Sequence, residues 1–158
     1  MTEISEDDQH ERDFDWFCVD ETGEIGHFTT AGFKRLPRSV ERSAEDRDVL
    51  EEFFERRLKS GRSFRVDAEL PAEIKIPKSG FERYLRNFVA MADKGLYSFD
   101  IGTYLSPKSH YFRVAVPLQP LHIEDLPLPI QEILGRTQLK GRLLKDSSRI
   151  IYEDTLAI

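Results

Sequence analysis

The segment that most restricts the fold is a run of aromatic and β-branched residues interrupted by a short acidic turn, "FDWFCVDETGEIGHFTTAGF". Two such runs separated by turn residues favour a β-hairpin. Asp20 at the start of the turn and Gly23 three residues later are typical of a type I turn followed by a left-handed glycine. The sequence therefore predicts a hairpin whose tip lies at residues 20–24.

The register of this hairpin decides whether Cys18 and His27 form a reactive pair. The predicted turn places Cys18 opposite Gly26, so that Cys18 and His27 face opposite sides of the sheet. A two-residue turn cornered at Thr22 would pair the two residues directly, but threonine is poorly suited to the positive φ of a type I′ turn. We therefore expect no dyad, with Cys18 a small buried hydrophobe and His27 a partly buried, hydrogen-bonded histidine.

Two amphipathic helices are predicted in the middle of the chain. "SAEDRDVLEEFFERRLKSG" has Ser43 as its N-cap and Gly61 at its end, and "KSGFERYLRNFVAMADKG" has Ser79 as its N-cap and Gly95 at its end. The expected buried stripes are Val49, Leu50, Phe53, Phe54 and Leu58 in the first helix and Phe81, Tyr84, Leu85, Phe88, Val89 and Ala92 in the second. Both stripes are expected to pack on a sheet.

The remaining segments indicate strands and short turns. "RSFRVDAELPAEIKIP" predicts one edge strand, "LYSFDIGTYL" and "HYFRVAVPL" an antiparallel pair joined through "SPKS", "IEDLPLPIQEILG" a turn and a short helix, and "RLLKDSSRIIYEDTLAI" one or two strands. The order does not alternate as βαβ units do. We therefore predict an α+β class with a mainly antiparallel sheet and two principal helices packed on it.

Length and charge define the domain organisation and exclude some partners. At 158 residues the chain fits one globular domain, expected over 14–158, preceded by a flexible acidic tail over 1–13. The net charge of −6 argues against nucleic acid, which needs a basic face, and the basic run "ERRLKSGRSFR" is interpreted as the solvated end of a helix. No apolar run approaches the roughly 20 residues of a membrane helix. With one cysteine and no secretory pattern at its start, the chain is expected to be cytoplasmic.

No pattern marks a catalytic or metal centre. The four histidines include no HExxH pair, the single cysteine makes no zinc pair, and neither a phosphate-binding glycine loop nor a GxSxG elbow occurs. We predict no catalytic residue, no metal and no cofactor. An alternative is a small hydrolase or transferase that uses His27 or His110 with Asp100, which a cleft joining a histidine to a carboxylate within hydrogen-bond reach would support.

Aromatic residues and carboxylates both cluster around the hairpin. If one of the aromatics Trp16, Phe17, Phe28 and Phe33 is exposed, it would anchor a partner protein inside an acidic rim. Opposite charge on the partner would then steer association. The predicted binding residues are Trp16, Asp20, Glu21, Glu24 and His27.

Two blocks carry a resemblance. "DWFCVDETGEIGHFTTAGFKRLP" contains the pattern VDxxGxIGxF, and "GLYSFDIG" followed by "YFRVAVPLQPLHIEDLP" ends in PxxPLxxxDLP. These blocks are similar to those of a loose set of small bacterial proteins, many of which resemble immunity proteins of polymorphic toxin systems. The resemblance implies a non-enzymatic protein-binding module that inhibits a basic toxin domain. The alternatives are a structural or regulatory domain and the histidine-dependent enzyme.

Overall fold

The computed structural model describes residues 1–32, 34–68, 70, 76–102 and 109–158. Its strands are β1 (Asp15–Asp20), β2 (Ile25–Thr29), β3 (Phe64–Val66), β4 (Tyr97–Ile101), β5 (His110–Pro117), β6 (Gln138–Leu139) and β7 (Arg149–Ile151). They form one sheet in the order β6–β1–β2–β4–β5, and β3 and β7 share the outer edge of β5, one at each end. The β1–β6 and β2–β4 pairs are parallel and the others antiparallel.

Helices cover this sheet, which confirms the predicted α+β class. They are α1 (Glu6–Glu11), α2 (Arg38–Glu41), α3 (Ala44–Glu52), α4 (Lys78–Ala92), α5 (Leu128–Leu134) and α6 (Tyr152–Leu156), with a π-helical turn at Phe53–Arg57 and 3₁₀ turns at Ile123–Asp125 and Leu144–Asp146. Within the described residues, no helix combines the length and apolar character needed to cross a membrane.

The hairpin has the predicted register. Cys18 lies opposite Gly26 and Phe17 opposite His27, and Gly23 adopts a φ of +85° at the turn. Cys18 is fully buried against the face of the sheet opposite to His27, and this burial raises the pKa of its thiol. The predicted absence of a cysteine–histidine dyad is therefore confirmed.

The predicted helix boundaries are partly correct. Ser43 caps α3, since its hydroxyl accepts a hydrogen bond from the backbone N–H of Asp46 at 3.2 Å. The π-helical turn closes that helix before Gly61 is reached, because the N–H of Leu58 donates to the carbonyl of Phe53 and Leu58 is already extended. Val49, expected in the buried stripe, is 44% exposed.

The second predicted helix starts two residues earlier than expected. Pro77 precedes α4 as its N-cap and Lys78 is its first residue, so Ser79 lies inside the first turn and is not the cap. Pro77 suits this position because its fixed φ does not oppose helix entry. Gly95 follows the helix end with a φ of +99°, as predicted.

The first thirteen residues are not the flexible tail predicted from their acidity. Ser5 caps α1, and Ile4 and Gln9 are buried against the domain. The N–H of Ile4 donates to the carbonyl of Glu41, and the side-chain oxygen of Gln9 accepts from the N–H of Leu36. Local composition did not reveal these contacts because each involves a residue far along the chain.

The edge strand predicted before Pro71 is present as β3. The last segment contains one strand, β7, as predicted, but it ends in the helix α6, which was not predicted. The short strand β6 was not predicted either. Phe33, Pro71 and most of the "SPKS" connection lie outside the described residues.

The two faces of the sheet carry separate cores. One face bears Trp16, Cys18, Phe28, Tyr97, Phe99 and Tyr111, covered by residues of the N-terminal and C-terminal segments such as Ile4, Leu144 and Ile150. The other face packs against α3, the π-helical turn, α4 and α5 through Phe17, Val19, Ile25, Leu50, Phe54, Met91 and Leu134, and through Phe88, Phe112 and Val114. His27 lies on this helix-covered face, beside Phe17 and Phe88.

Candidate functional site

A row of polar side chains crosses the helix-covered face through the centre of the sheet. Nδ1 of His27 on β2 lies 2.7 Å from the hydroxyl oxygen of Ser98 on β4. Nε2 of the same ring lies 3.0 Å from Oδ2 of Asp15 on β1. The His27 side chain is 1% exposed and that of Asp15 is 22% exposed. Solvent therefore reaches the row at its carboxylate end, whereas the serine end is buried.

The order aspartate, histidine, serine resembles a nucleophilic triad, but its orientation is unsuited to that chemistry. Ser98 is completely buried, so its hydroxyl has no access to a substrate. In a serine hydrolase the carboxylate orients one ring nitrogen and the reactive serine meets the other at the open side of the site. Here the buried serine holds the ring and its second nitrogen, Nε2, points towards the accessible carboxylate.

Two glutamates bring further negative charge to the open end of the row. Carboxylate oxygens of Asp15, Glu51 and Glu55 all lie within 4.8 Å of one another. Glu51 belongs to α3 and Glu55 to the π-helical turn, and side chains four residues apart share one face of a helix. We call these three residues the carboxylate cluster.

Arg47 partly compensates the carboxylate cluster. Its Nη2 donates to Oε2 of Glu51 at 2.6 Å and its Nη1 to the backbone carbonyl of Asp15 at 3.2 Å. The same guanidinium contacts Asp48 and lies over the ring of Phe14. Arg47 thus neutralises part of the charge of the cluster, and Arg56 and Lys94 also attract the carboxylate of Glu55.

Electrostatics distinguish the members of the carboxylate cluster. Burial raises the pKa of Asp15, but attraction to His27 and Arg47 and a hydrogen bond from Thr29 outweigh it, so the net pKa is lowered. The pKa of Glu55 is raised, first by partial burial and then by repulsion from Glu51 and Asp15. The negative charge of Asp15 is therefore well stabilised, whereas that of Glu55 is not.

Asp100 forms a separate buried site. Its Oδ2 accepts from the hydroxyl of Tyr84 at 2.6 Å and its Oδ1 from the N–H of Ile101 at 2.8 Å. Burial raises its pKa to about 6, although both hydrogen bonds oppose the shift. Within the described residues Asp100 makes no hydrogen bond to His27 or His110, so the proposed enzymatic pairs with Asp100 are not formed.

His110 lies at the far side of the sheet. Its Nε2 is 2.9 Å from Nη1 of Arg149 on the neighbouring strand β7. A guanidinium is a poor partner for a general base, because it donates hydrogen bonds and accepts none. Of His27 and His110, the histidine with a carboxylate within hydrogen-bond distance is His27, and that carboxylate belongs to Asp15.

The aromatic and histidine members of the predicted binding set are buried. Trp16 is 0% exposed, stacks on Phe28 with ring centroids 4.3 Å apart, and donates its Nε1–H to the hydroxyl of Tyr111 at 3.3 Å. Phe17 is likewise buried, as is His27. These residues stabilise the two cores and offer no surface to a partner.

The acidic members of that set are divided between the interior and the surface. Asp20 is buried: Oδ1 accepts from Thr22 and from the N–H of Glu24, and Oδ2 accepts from the N–H of Leu144. Glu24 is half-buried, with an Oε2 atom that lacks a hydrogen-bond partner. Glu21 is exposed and accepts from the N–H of Gly141. The hairpin therefore does not gather the five residues into one surface.

The carboxylate cluster was missed because Asp15 is distant in sequence from Glu51 and Glu55, yet one signal was present. Alternation along β1 places Asp15 on the same side as Phe17, and alternation along β2 places His27 on the same side as Ile25. A charged and a titratable residue on an otherwise apolar face indicate a buried polar contact.

Comparison of this chain with protein-family models, with curated proteins and with solved structures finds no match.

Proposed function

We propose that this chain is a non-enzymatic protein-binding module that presents a fixed acidic surface to a basic partner protein. The observation that carries the proposal is the concentration of charge in the N-terminal segment. Residues 1–13 contain six exposed carboxylates and one arginine, so their side chains supply −5 of the chain's net −6. The remainder of the molecule is almost neutral.

The N-terminal segment is held against the domain, which keeps this charge in one place. Besides the buried Ile4 and Gln9, Thr2 donates from both its N–H and its hydroxyl to the carboxylate of Glu45, at 2.8 and 2.6 Å. A partner that meets ordered carboxylates does not have to fix a mobile chain on binding, which reduces the entropic cost of association. An ordered patch of one sign also steers an oppositely charged protein during approach.

The exposed side of α3 continues the same charge. Glu45, Asp48 and Glu52 are exposed there, and Asp48 lines the same shallow depression as Asp8. We call the exposed carboxylates of residues 1–13 together with these three residues the acidic face. It is larger than a single ion pair and is suited to a surface rich in lysine and arginine.

The resemblance of the two strand blocks to immunity proteins supports a narrower form of the proposal. An immunity-type inhibitor works by covering its toxin and needs no chemistry of its own. A basic toxin domain would match the acidic face in charge. Of the predicted binding residues at the hairpin, Glu21 is exposed and is suited to a peripheral contact.

The test is capture of a partner by matched charge variants. The tagged protein is incubated with lysate of its native cells at low and high salt, and the retained proteins are identified by mass spectrometry. The acidic-face variant carries Asp7→Lys and Glu11→Lys, and the control carries the same charge change at the exposed Glu132 and Glu153.

We expect one stoichiometric basic protein bound to the wild type and to the control, with the acidic-face variant associating about tenfold more slowly. The purified pair then gives the association rate directly, and that rate should fall with salt. If no protein is retained, or if the two variants bind the same partner equally, the acidic face is not the interface. A toxin encoded beside this gene and inhibited by the chain would support the immunity form.

A further inference from the structure

The outer side of α3 and of the π-helical turn that follows it carries an ordered row of four side chains. Glu45, Val49, Phe53 and Arg57 recur every four residues, and positions four apart share one face of a helix. Val49 is 44% exposed, Glu45 and Arg57 are exposed, and Phe53 is partly exposed at the edge of the core. We call these four residues the α3 stripe. It runs from an acid through two apolar side chains to a base.

The apolar middle of the α3 stripe is not needed to hold the helix on the sheet. Leu50 and Phe54, each one position further along the chain, supply the buried face of the same segment. A single exposed valine is common on protein surfaces. The charges around Val49 and Phe53 must therefore show whether this surface is suited to a contact.

The charged ends of the stripe are free to meet a second molecule. Glu45 accepts from the N–H and the hydroxyl of Thr2, which are neutral groups and leave its charge in place. Nη2 of Arg57 lies 3.4 Å from Oε1 of Glu52, but both side chains are more than half exposed, so this pair contributes little. One end of the stripe is thus negative and the other positive.

This order of side chains is complementary to itself in one arrangement. If two copies meet with their α3 helices antiparallel, Glu45 of each copy lies opposite Arg57 of the other, and Val49 lies opposite Phe53. A two-fold axis relates the two halves of this contact, which is the symmetry of a closed homodimer. A parallel arrangement would set like charges against each other at both ends and is disfavoured.

We infer that the α3 stripe is a dimerisation surface that binds the same stripe of a second copy of this chain. Val49 and Phe53 are covered at the centre, where contacts contribute most to affinity, and the charged ends fix the antiparallel orientation. Because the apolar centre is small, the dimer belongs to the weak, transient class of complexes. The inference does not rest on the proposed function, since it involves no other protein.

Sedimentation of the purified full chain, from about 10 μM to about 1 mM at low and high salt, tests this surface. Glu45→Lys and Arg57→Glu each place like charges at both ends of the antiparallel pair, and Val49→Asp removes the apolar centre. All three positions are exposed, so the core stays intact, and circular dichroism checks the fold. The controls Glu153→Lys and Lys145→Glu make the same charge changes at exposed positions outside the stripe.

We expect a reversible equilibrium between monomer and dimer in the wild type and in both controls, weakened by salt. The dissociation constant should rise about tenfold or more in each of the three stripe variants. An equimolar mixture of Glu45→Lys and Arg57→Glu should associate again, because each reversed charge then faces its opposite on the other copy. Recovery on mixing also excludes a folding defect as the cause of the loss.

A wild type that sediments as a monomer at every concentration would overturn the inference. So would an unchanged dissociation constant in the stripe variants, or a mixture that stays monomeric. The capture of a partner protein is tested at Asp7 and Glu11, which lie outside the stripe, so the failure of one experiment leaves the other proposal standing.

Discussion

At the scale of the residue, Asp100 is a buried carboxyl whose ionisation destabilises the folded state. Its pKa is about 6 in the folded protein, against 3.8 for the ordinary group, because burial penalises the ionised form. The folded state therefore binds more protons than the unfolded state between these two values. The contribution of Asp100 to the stability of the protein is therefore greatest below about pH 4, and it is lost as the pH rises through about 6.

Replacement of Asp100 by asparagine should remove that loss. Asn cannot ionise, and its oxygen can still accept the hydrogen bond from Ile101. We expect Asp100→Asn to exceed the wild type in free energy of unfolding by about 2 kcal/mol at pH 8 and to match it near pH 4. Urea denaturation at several pH values measures the difference.

Asp15 is the matched control for this prediction, because its pKa is shifted in the opposite direction. Asp15→Asn should be destabilising above the unfolded pKa of an aspartate, and its deficit should shrink as the pH falls through the lowered pKa of the folded state. If the free energies of unfolding of Asp100→Asn and the wild type differ by the same amount at every pH, Asp100 is not the titrating group.

Residue by residue, sequence reasoning succeeded where neighbours in the chain decide the outcome. The hairpin register and the burial of Cys18 follow from the turn residues and the alternation of one short segment. The contacts of His27 did not follow, because Ser98 lies 71 positions away and parallel pairing of β2 with β4 brings the two together. No local pattern encodes which strands become neighbours.

At the scale of the element, the hairpin turn is fixed by the histidine that starts a distant 3₁₀ turn. Nε2 of His122 lies 2.6 Å from the carbonyl oxygen of Thr22, and the Nδ1 of the same ring accepts from the N–H of Glu124. The ring covers Gly23 so closely that a Cβ added there would lie 2.2 Å from Nε2. The turn therefore requires glycine both for its φ and for space.

Gly23→Ala should consequently destabilise the protein more than the same change at another left-handed glycine. Gly141 has a φ of +72° but nothing within 4 Å of an added Cβ. We expect a loss of about 1 kcal/mol in Gly141→Ala from strain and at least about 2 kcal/mol in Gly23→Ala, measured by chemical denaturation.

A double variant separates the two causes at Gly23. If the clash with His122 is the additional term, His122→Ala should recover part of the loss, giving a favourable coupling between the two substitutions. Additive effects of Gly23→Ala and His122→Ala would contradict the contact between the hairpin and the 3₁₀ turn.

The docked N-terminal segment gives a second prediction at this scale. Ile4 is 5% exposed within the core that also contains Trp16. Ile4→Ala should lower the free energy of unfolding by about 2 kcal/mol, because it removes buried apolar surface. Glu11→Ala, at an exposed position of α1, should change it by less than about 0.5 kcal/mol.

Thermal and urea denaturation of the two variants, together with amide exchange of residues 4–9, measure the docking. Equal stability of Ile4→Ala and Glu11→Ala would mean that the segment behaves as the tail that its composition predicts. In that case the acidic face would lose the fixed geometry on which the proposed function depends.

Elements with strong internal periodicity were predicted, and elements held by tertiary contacts were not. The two amphipathic helices and the strands of the hairpin carry their own patterns. By contrast, β6 has two residues and α1 has six, too few to show a period. Each is stabilised by a partner elsewhere: β6 pairs in parallel with β1, and α1 docks through Gln9.

At the scale of the whole molecule, Arg113 connects three parts of the chain. Its Nε donates to Oδ2 of Asp67 at 2.8 Å, beside the edge strand β3, and its Nη1 donates to the carbonyls of Leu144 and Lys145 near the C-terminal end. Arg113 and Asp67 are both buried. The planar guanidinium satisfies these acceptors together, which a lysine ammonium on a flexible stem is less able to do.

Arg113→Lys should therefore lower the free energy of unfolding much more than a conservative change in an exposed ion pair does. We expect a loss of about 2–4 kcal/mol, with little dependence on salt because the pair is shielded from solvent. Arg142→Lys is the control, since the pair of Arg142 and Asp154 is 38% and 51% exposed and should contribute less than about 1 kcal/mol. Similar losses in the two variants would contradict a central role for Arg113.

The edge strands of the sheet have a consequence for self-association. Within the described residues, the marginal strands β3, β6 and β7 have three, two and three residues, whereas the inner strands have five to eight. β6 pairs with Val19 and Asp20 of β1 alone, and farther along the same strand Arg47 donates to the backbone carbonyl of Asp15. A second copy that tried to extend the sheet would gain only a few backbone hydrogen bonds at any edge. We expect the folded protein to remain free of fibrils when concentrated, and to recognise other molecules through its side chains and not by strand addition.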